Sequence, residues 1–130
     1  MPCQQCGSPT IAFPLPPATR SQLPGEPGGV SICRDCLRRE PVAEPPEAQP
    51  DFSAILESFP SGEAGATAAL LLSMLDSLAL YRAEIEHLAA LAEEGGVDVF
   101  LLLDRIEASG RIEPHFDLQR RRVQLEQVLD

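Results

Sequence analysis

The chain has 130 residues, with ten Lys and Arg, every one an arginine, against twenty Asp and Glu, for a net charge of −10. That length holds one ordinary domain, or a small metal-stapled module plus a helical domain of about 70 residues. The longest uncharged apolar run, Ala64 to Leu75, falls well short of the ~20 residues that cross a bilayer, and the N-terminus lacks the pattern of a signal peptide, so a cytoplasmic protein is expected.

All four cysteines lie in the first 36 residues, as Cys3-Gln4-Gln5-Cys6 and Cys33-Arg34-Asp35-Cys36, with 26 residues between the pairs. Each short turn offers two sulfurs at one apex, and the intervening loop brings the apexes together, which is what tetrahedral Zn²⁺ requires. In a reducing cytoplasm such pairs are metal ligands rather than disulfides. The spacing therefore predicts a zinc ribbon in which Cys3, Cys6, Cys33 and Cys36 fill the coordination sphere; the same sulfurs would accept iron in a rubredoxin-like site. Four thiolates leave no position for water or substrate, so the zinc is expected to be structural. A redox dithiol would need a helix N-terminus beside it, usually in a βαβ setting, and none is predicted. Gly7 follows the first pair and allows the φ > 0 that closes such a turn, whereas Leu37 follows the second.

Between the pairs, Ile11 and Phe13 alternate with small or polar neighbours, as do Val30 and Ile32. Two short strands leading away from and back to the metal are expected, joined by a Pro/Gly-rich loop over 14–29. Residues 41–50 hold four prolines and two glutamates and read as a stiff linker of about 30 Å. Phe52, Ile55, Leu56 and Phe59 then have helical spacing, with Asp51 placed as a cap and Pro60-Ser61-Gly62 as a stop.

The main helical pattern runs from about Glu63 to Glu94, with its stripe at Leu71, Met74, Leu75, Leu78, Tyr81, Ile85, Leu88 and Ala92; it is one helix, or two with a break near Ser77. Val97 to Ser109 gives the next helix, with Val99, Leu102, Leu103 and Ile106 inward and Gly110 at its end. Asp117 caps a last one to Leu129, striped by Leu118, Leu125, Val128 and Leu129. The expected fold class is mostly α with a small β zinc ribbon: residues 1–40 as a ribbon module, 41–50 as linker, and 51–130 as an acidic bundle of three or four helices with its own core.

Residues 1–40 carry Arg20, Arg34, Arg38 and Arg39 against Glu26, Asp35 and Glu40, so this module alone is slightly basic. Arg34, Arg38 and Arg39 form a candidate partner-contact patch beside the second pair, although no aromatic side chains interleave with them to stack bases. Of Arg120, Arg121 and Arg122, at least one should lie along the bundle and pair with an acid such as Asp104 or Asp76. Arg82 should pair with Glu86. His87 and His115 read as ordinary surface or loop histidines.

The acidic, lysine-free composition is similar to that of salt-in halophilic archaeal proteins. At molar salt the Debye length is about 3 Å or less, so charge says little about nucleic-acid partners in either direction. Residues 3–9 (Cys-Gln-Gln-Cys-Gly-Ser-Pro), 32–38 (Ile-Cys-Arg-Asp-Cys-Leu-Arg), 77–82 (Ser-Leu-Ala-Leu-Tyr-Arg), 103–106 (Leu-Asp-Arg-Ile) and 119–122 (Gln-Arg-Arg-Arg) together resemble an uncharacterised family of small haloarchaeal proteins with an N-terminal zinc ribbon and a C-terminal helical domain. That resemblance implies a halophile and no mechanism. The expected function is a non-enzymatic, zinc-stabilised adaptor that docks an unknown protein partner or self-associates, with no membrane role. The alternative is a nucleic-acid-associated regulator touching phosphate through Arg34, Arg38 and Arg39.

Overall fold

The computed structural model describes residues 2–23 and 25–129. The chain is mostly α-helical with a small antiparallel sheet, as the periodicities predict. Strands β1 (Thr10–Pro14) and β2 (Gly29–Cys33) are the two expected strands, paired in register Ile11 to Ile32 and Phe13 to Val30. A third strand, β3 (Arg39–Val42), continues the sheet on the other side of β2 in the order β1-β2-β3. Its Pro41 and Val42 lie in the stretch read as linker. Proline hides a strand from a sequence pattern, yet an edge strand tolerates it because one side of the strand makes no ladder bonds. The rest of that stretch stays close to the sheet: a Cβ built on Gly29 would come within 2.5 Å of Pro45 Cβ, so only glycine fits there.

The loop between β1 and β2 contains a 3-10 turn over Pro17–Gln22 that packs against α2 (Arg82–Glu94), with Leu15, Thr19 and Leu23 buried. Residues 52–59 make a 3-10 turn at Phe52–Ala54 rather than a helix, with Asp51 accepting from the Ser53 amide at 3.1 Å.

The long helical pattern resolves into two helices, α1 (Gly62–Met74) and α2, separated by a 3-10 turn at Leu75–Ser77. Every residue of α1 from Gly65 to Met74 is buried. A helix apolar all round belongs at the centre of a fold, which accounts for the uncharged run that begins at Ala64. Helix α3 (Val99–Ser109) starts at Asp98, whose carboxylate accepts from the Leu101 amide at 3.1 Å, and ends at Gly110. Helix α4 (Leu118–Leu129) starts at Asp117, which accepts from the Arg120 amide at 3.1 Å. α1 packs on α2, and α3 and α4 pack on α2 and on each other. No helix is long and apolar enough to cross a membrane, among the described residues.

The sheet and the helices bury their apolar side chains in one continuous cluster. Phe13, Leu15, Val30, Ile32 and Leu37 from the cysteine-bearing part belong to it together with Leu70 to Leu72, Ile85, Leu88 and Ile106. The Phe13 ring meets Phe52 edge-on at 5.1 Å, and Phe52 meets Phe59 at 5.5 Å. Arg39 adds a polar tie, donating to the Ser73 carbonyl at 3.0 Å near the end of α1. Arg122 pairs with Asp104 at 2.7 Å and lies over the Phe100 ring, and Arg82 approaches Glu86 at 3.6 Å.

Candidate metal centre

Each cysteine pair sits on a turn closed in the same way. In the first, the Gly7 amide donates to the Cys3 carbonyl at 2.8 Å and the Cys3 amide to the Ser8 carbonyl at 2.7 Å. In the second, Leu37 donates to Cys33 at 3.1 Å and Cys33 to Arg38 at 2.9 Å. Both turns need a residue with positive φ after the second cysteine: Gly7 has φ 78° and Leu37 has φ 65°. The glycine missing from the second turn is thus replaced by a leucine, held in an unfavourable backbone region by a side chain that is fully buried.

The turns bring the sulfurs together. Cys3 Sγ lies 3.7 Å from Cys36 Sγ, Cys6 Sγ lies 3.4 Å from Cys33 Sγ, and all four are within 4.8 Å of one another. None of the four cysteines is in a disulfide. A tetrahedron with metal–sulfur bonds of ~2.3 Å has sulfur–sulfur edges of ~3.8 Å, so this cluster could hold a metal ion. The amides of Asp35 and Cys36 both point at Cys33 Sγ, at 3.4 Å each, and an Arg38 guanidinium nitrogen lies 3.6 Å from Cys36 Sγ. Donors arranged around sulfur in this way favour thiolates.

The electrostatics differ across the cluster. Cys6 is exposed, and hydrogen bonding, foremost from the backbone amide of Ser8, holds its thiol down to about 6 from the usual 9.0. Burial pushes Cys33 up to about 12 and raises Cys36 as well. A cation among the four sulfurs would offset the cost of holding the buried pair as thiolates.

The second turn is also tied to the other end of the chain. Arg111, Ile112, Glu113, Pro114 and His115, between α3 and α4, run alongside it. The Glu113 amide donates to the Asp35 carbonyl at 2.8 Å and the His115 amide to the Cys36 carbonyl at 3.0 Å. Arg111 reaches the Asp35 carboxylate at 2.7 Å and also donates to the carbonyls of Ala54 and Ile55. The other Asp35 oxygen accepts from Ser8 of the first turn at 2.5 Å. His115 Nδ1 lies 2.7 Å from the Cys36 carbonyl and Nε2 lies 3.0 Å from Asp76. Both partners are acceptors, so the two bonds are made together only when both ring nitrogens carry protons.

His115 is thus a loop histidine, as expected, but one with partners on both ring nitrogens, whereas His87 is exposed. No local pattern marks the role of Glu113 and His115, because the acceptors of their amides, Asp35 and Cys36, lie more than seventy residues earlier in the chain. Of the candidate contact arginines, Arg39 is engaged with α1, Arg38 points at Cys36, and Arg34 lies 3.9 Å from its neighbour Asp35.

The sequence profile of one family matches residues 2–129, nearly the whole chain. The chain belongs to DUF6276, a family of unknown function. The expected membership of an uncharacterised family is met. No curated protein and no solved structure matches the chain.

Proposed function

We propose that the chain is a non-enzymatic interaction protein of a halophile's cytoplasm, with a zinc ion bound by Cys3, Cys6, Cys33 and Cys36 holding the cysteine-bearing part in shape. The observation that carries the reading is the mutual approach of four sulfurs within 4.8 Å. Bound there, zinc would supply folding free energy and charge neutralisation, and a sphere filled by four thiolates has no vacancy for substrate. Leu80, Leu101 and Val123 stand exposed and offer apolar side chains to a docking partner or a second copy. The runner-up, a regulator touching phosphate through Arg34, Arg38 and Arg39, is weaker, because Arg38 and Arg39 already have acceptors within the chain.

The test is metal analysis of freshly purified, reduced protein, followed by affinity capture in molar KCl with mass spectrometry. Close to one zinc per chain and a stoichiometric protein partner, or self-association, that survives nuclease are expected. Iron in place of zinc, or no metal, overturns the zinc assignment. Co-purifying nucleic acid that is lost when Arg38 and Arg39 become Ser favours the regulator instead.

A further inference from the structure

We infer that residues 111–115 form a strap through which occupancy of the cysteine site controls the order of the C-terminal helix, an inference that rests on the metal reading above. The strap crosses the second turn at its two carbonyls. Asp35 and Cys36 accept from the amides of Glu113 and His115 at 2.8 and 3.0 Å, in a turn that is closed by the Leu37 amide on the Cys33 carbonyl. Closure of the turn is what a metal would enforce. Without a cation, ionised thiolates this close repel one another and neutral thiols attract only weakly.

The strap passes the state of the turn on in three directions. Ile112, 7% exposed, anchors it in the shared core. His115 extends the link to Asp76 in the turn that follows α1, at 3.0 Å, and Arg111 extends it to the carbonyls of Ala54 and Ile55. Two residues beyond His115, Asp117 caps α4. When the second turn opens, the amides of Glu113 and His115 lose their acceptors, Asp76 loses His115, and the start of α4 loses its tether. The hydrogen-bonded link from the first turn to the strap is indirect, through Ser8 and Asp35. The second cysteine turn therefore carries the signal.

Residue-resolved amide exchange on the full chain in molar KCl reads the strap directly, because the reporting amides are themselves the donors. With Zn²⁺ bound, the Glu113 and His115 amides should be protected. Removing Zn²⁺ with a chelator should speed their exchange by about tenfold or more, with a smaller increase through the first turn of α4. His115→Ala should still take up one Zn²⁺ but lose most of the zinc-dependent protection at Glu113. His115→Asn, whose amide can replace Nδ1 as donor to the Cys36 carbonyl, should restore part of it. If His115→Ala does not fold, Arg111→Ala gives the same comparison. Zinc bound at one equivalent with unchanged exchange at Glu113 and His115 on its removal overturns the strap alone. No zinc bound in the wild-type chain overturns the metal reading and the strap with it.

Discussion

Gly7 and Leu37 hold equivalent places in the two cysteine turns, with φ of 78° and 65°, but their surroundings are opposite. A Cβ on Gly7 would meet nothing within 4 Å, while Leu37 is fully buried in the cluster shared by sheet and helices. The first turn satisfies its backbone by being locally permissive. The second is held in a strained conformation by tertiary packing, and the strap and Arg39 fasten the region around it. One hydrogen-bonding plan is thus maintained by backbone freedom in one turn and by the rest of the molecule in the other. The second turn should accordingly be the one whose damage spreads.

The largest expected effect is from the buried cysteine. Cys33→Ser removes a candidate ligand whose sulfur accepts from two amides in a fully buried position, next to the carbonyls that hold the strap. It should unfold sheet and helices in one cooperative transition, because they share a core. Cys6→Ser removes the exposed candidate ligand and should weaken any zinc binding while most of the helical circular dichroism persists. Helical signal at wild-type strength in Cys33→Ser would show that the helices stand alone, as expected for residues 51–130 from the sequence.

Next in size is the pair at positive φ. Leu37→Gly relieves strain of about 1 kcal/mol but forfeits a buried leucine, a loss of about 2–5 kcal/mol in comparable truncations, so it should destabilise by a few kcal/mol. Gly7→Ala meets no obstruction and should cost only about 1 kcal/mol of backbone strain. Urea midpoints at fixed KCl distinguish them. Equal midpoints would mean that packing does not hold the second turn in place.

The same contrast explains how much could be read beforehand. The cysteine spacing, both strands between the pairs and the helical stripes were legible because each is a local pattern: alternation at Ile11 and Phe13, a 3.6-residue repeat from Leu71, a cap at Asp117. The four candidate ligands were legible for the same reason. The strand at Arg39–Val42 was not, because proline masks its alternation. Nor were the roles of Leu37, Arg111 and His115, since each is defined by a partner far away in the sequence. Composition over 41–50 suggested separate bodies; the continuity of the core comes from contacts between distant segments, such as Phe13 with Phe52, and no pattern within either segment reports that.

Acidity separates the turns as well. In the metal-free chain, burial raises Cys33 to about 12 while an unfolded thiol ionises near 9, so the folded state holds that proton more tightly. Its contribution to stability is complete below pH 9 and is lost as pH rises from 9 toward 12. Cys6, held at about 6, has the opposite sign: its contribution is complete above pH 9 and declines as pH falls toward 6, though full exposure screens it. The metal-free chain should therefore weaken mainly on the alkaline side. With zinc bound the direction reverses, because protons compete for the thiolates and stability falls on acidification. Denaturation midpoints across pH 6–11, with and without chelator, test this. Parallel curves would indicate that no metal is held by the thiolates.

The smallest expected difference lies between neighbouring arginines. Arg39 donates to a carbonyl near the end of α1 at 3.0 Å in a part-buried position, and removing it leaves that oxygen without a charged donor; Arg39→Ala should cost about 1–2 kcal/mol. Arg38 approaches a sulfur at 3.6 Å, a longer and weaker contact, so Arg38→Ala should cost about 0.5 kcal/mol or less. Its consequence should instead be felt at the metal. A site of four thiolates around a divalent ion carries a net charge of −2, and an Arg38 guanidinium nitrogen lies 3.6 Å from Cys36 Sγ. Arg38→Ala should thus lower zinc affinity in competition with a chelator while barely moving the urea midpoint, and Arg39→Ala should do the reverse. If both variants shift both measurements equally, the two arginines act as one general source of positive charge, and the division of labour between the cysteine site and the core would need another basis.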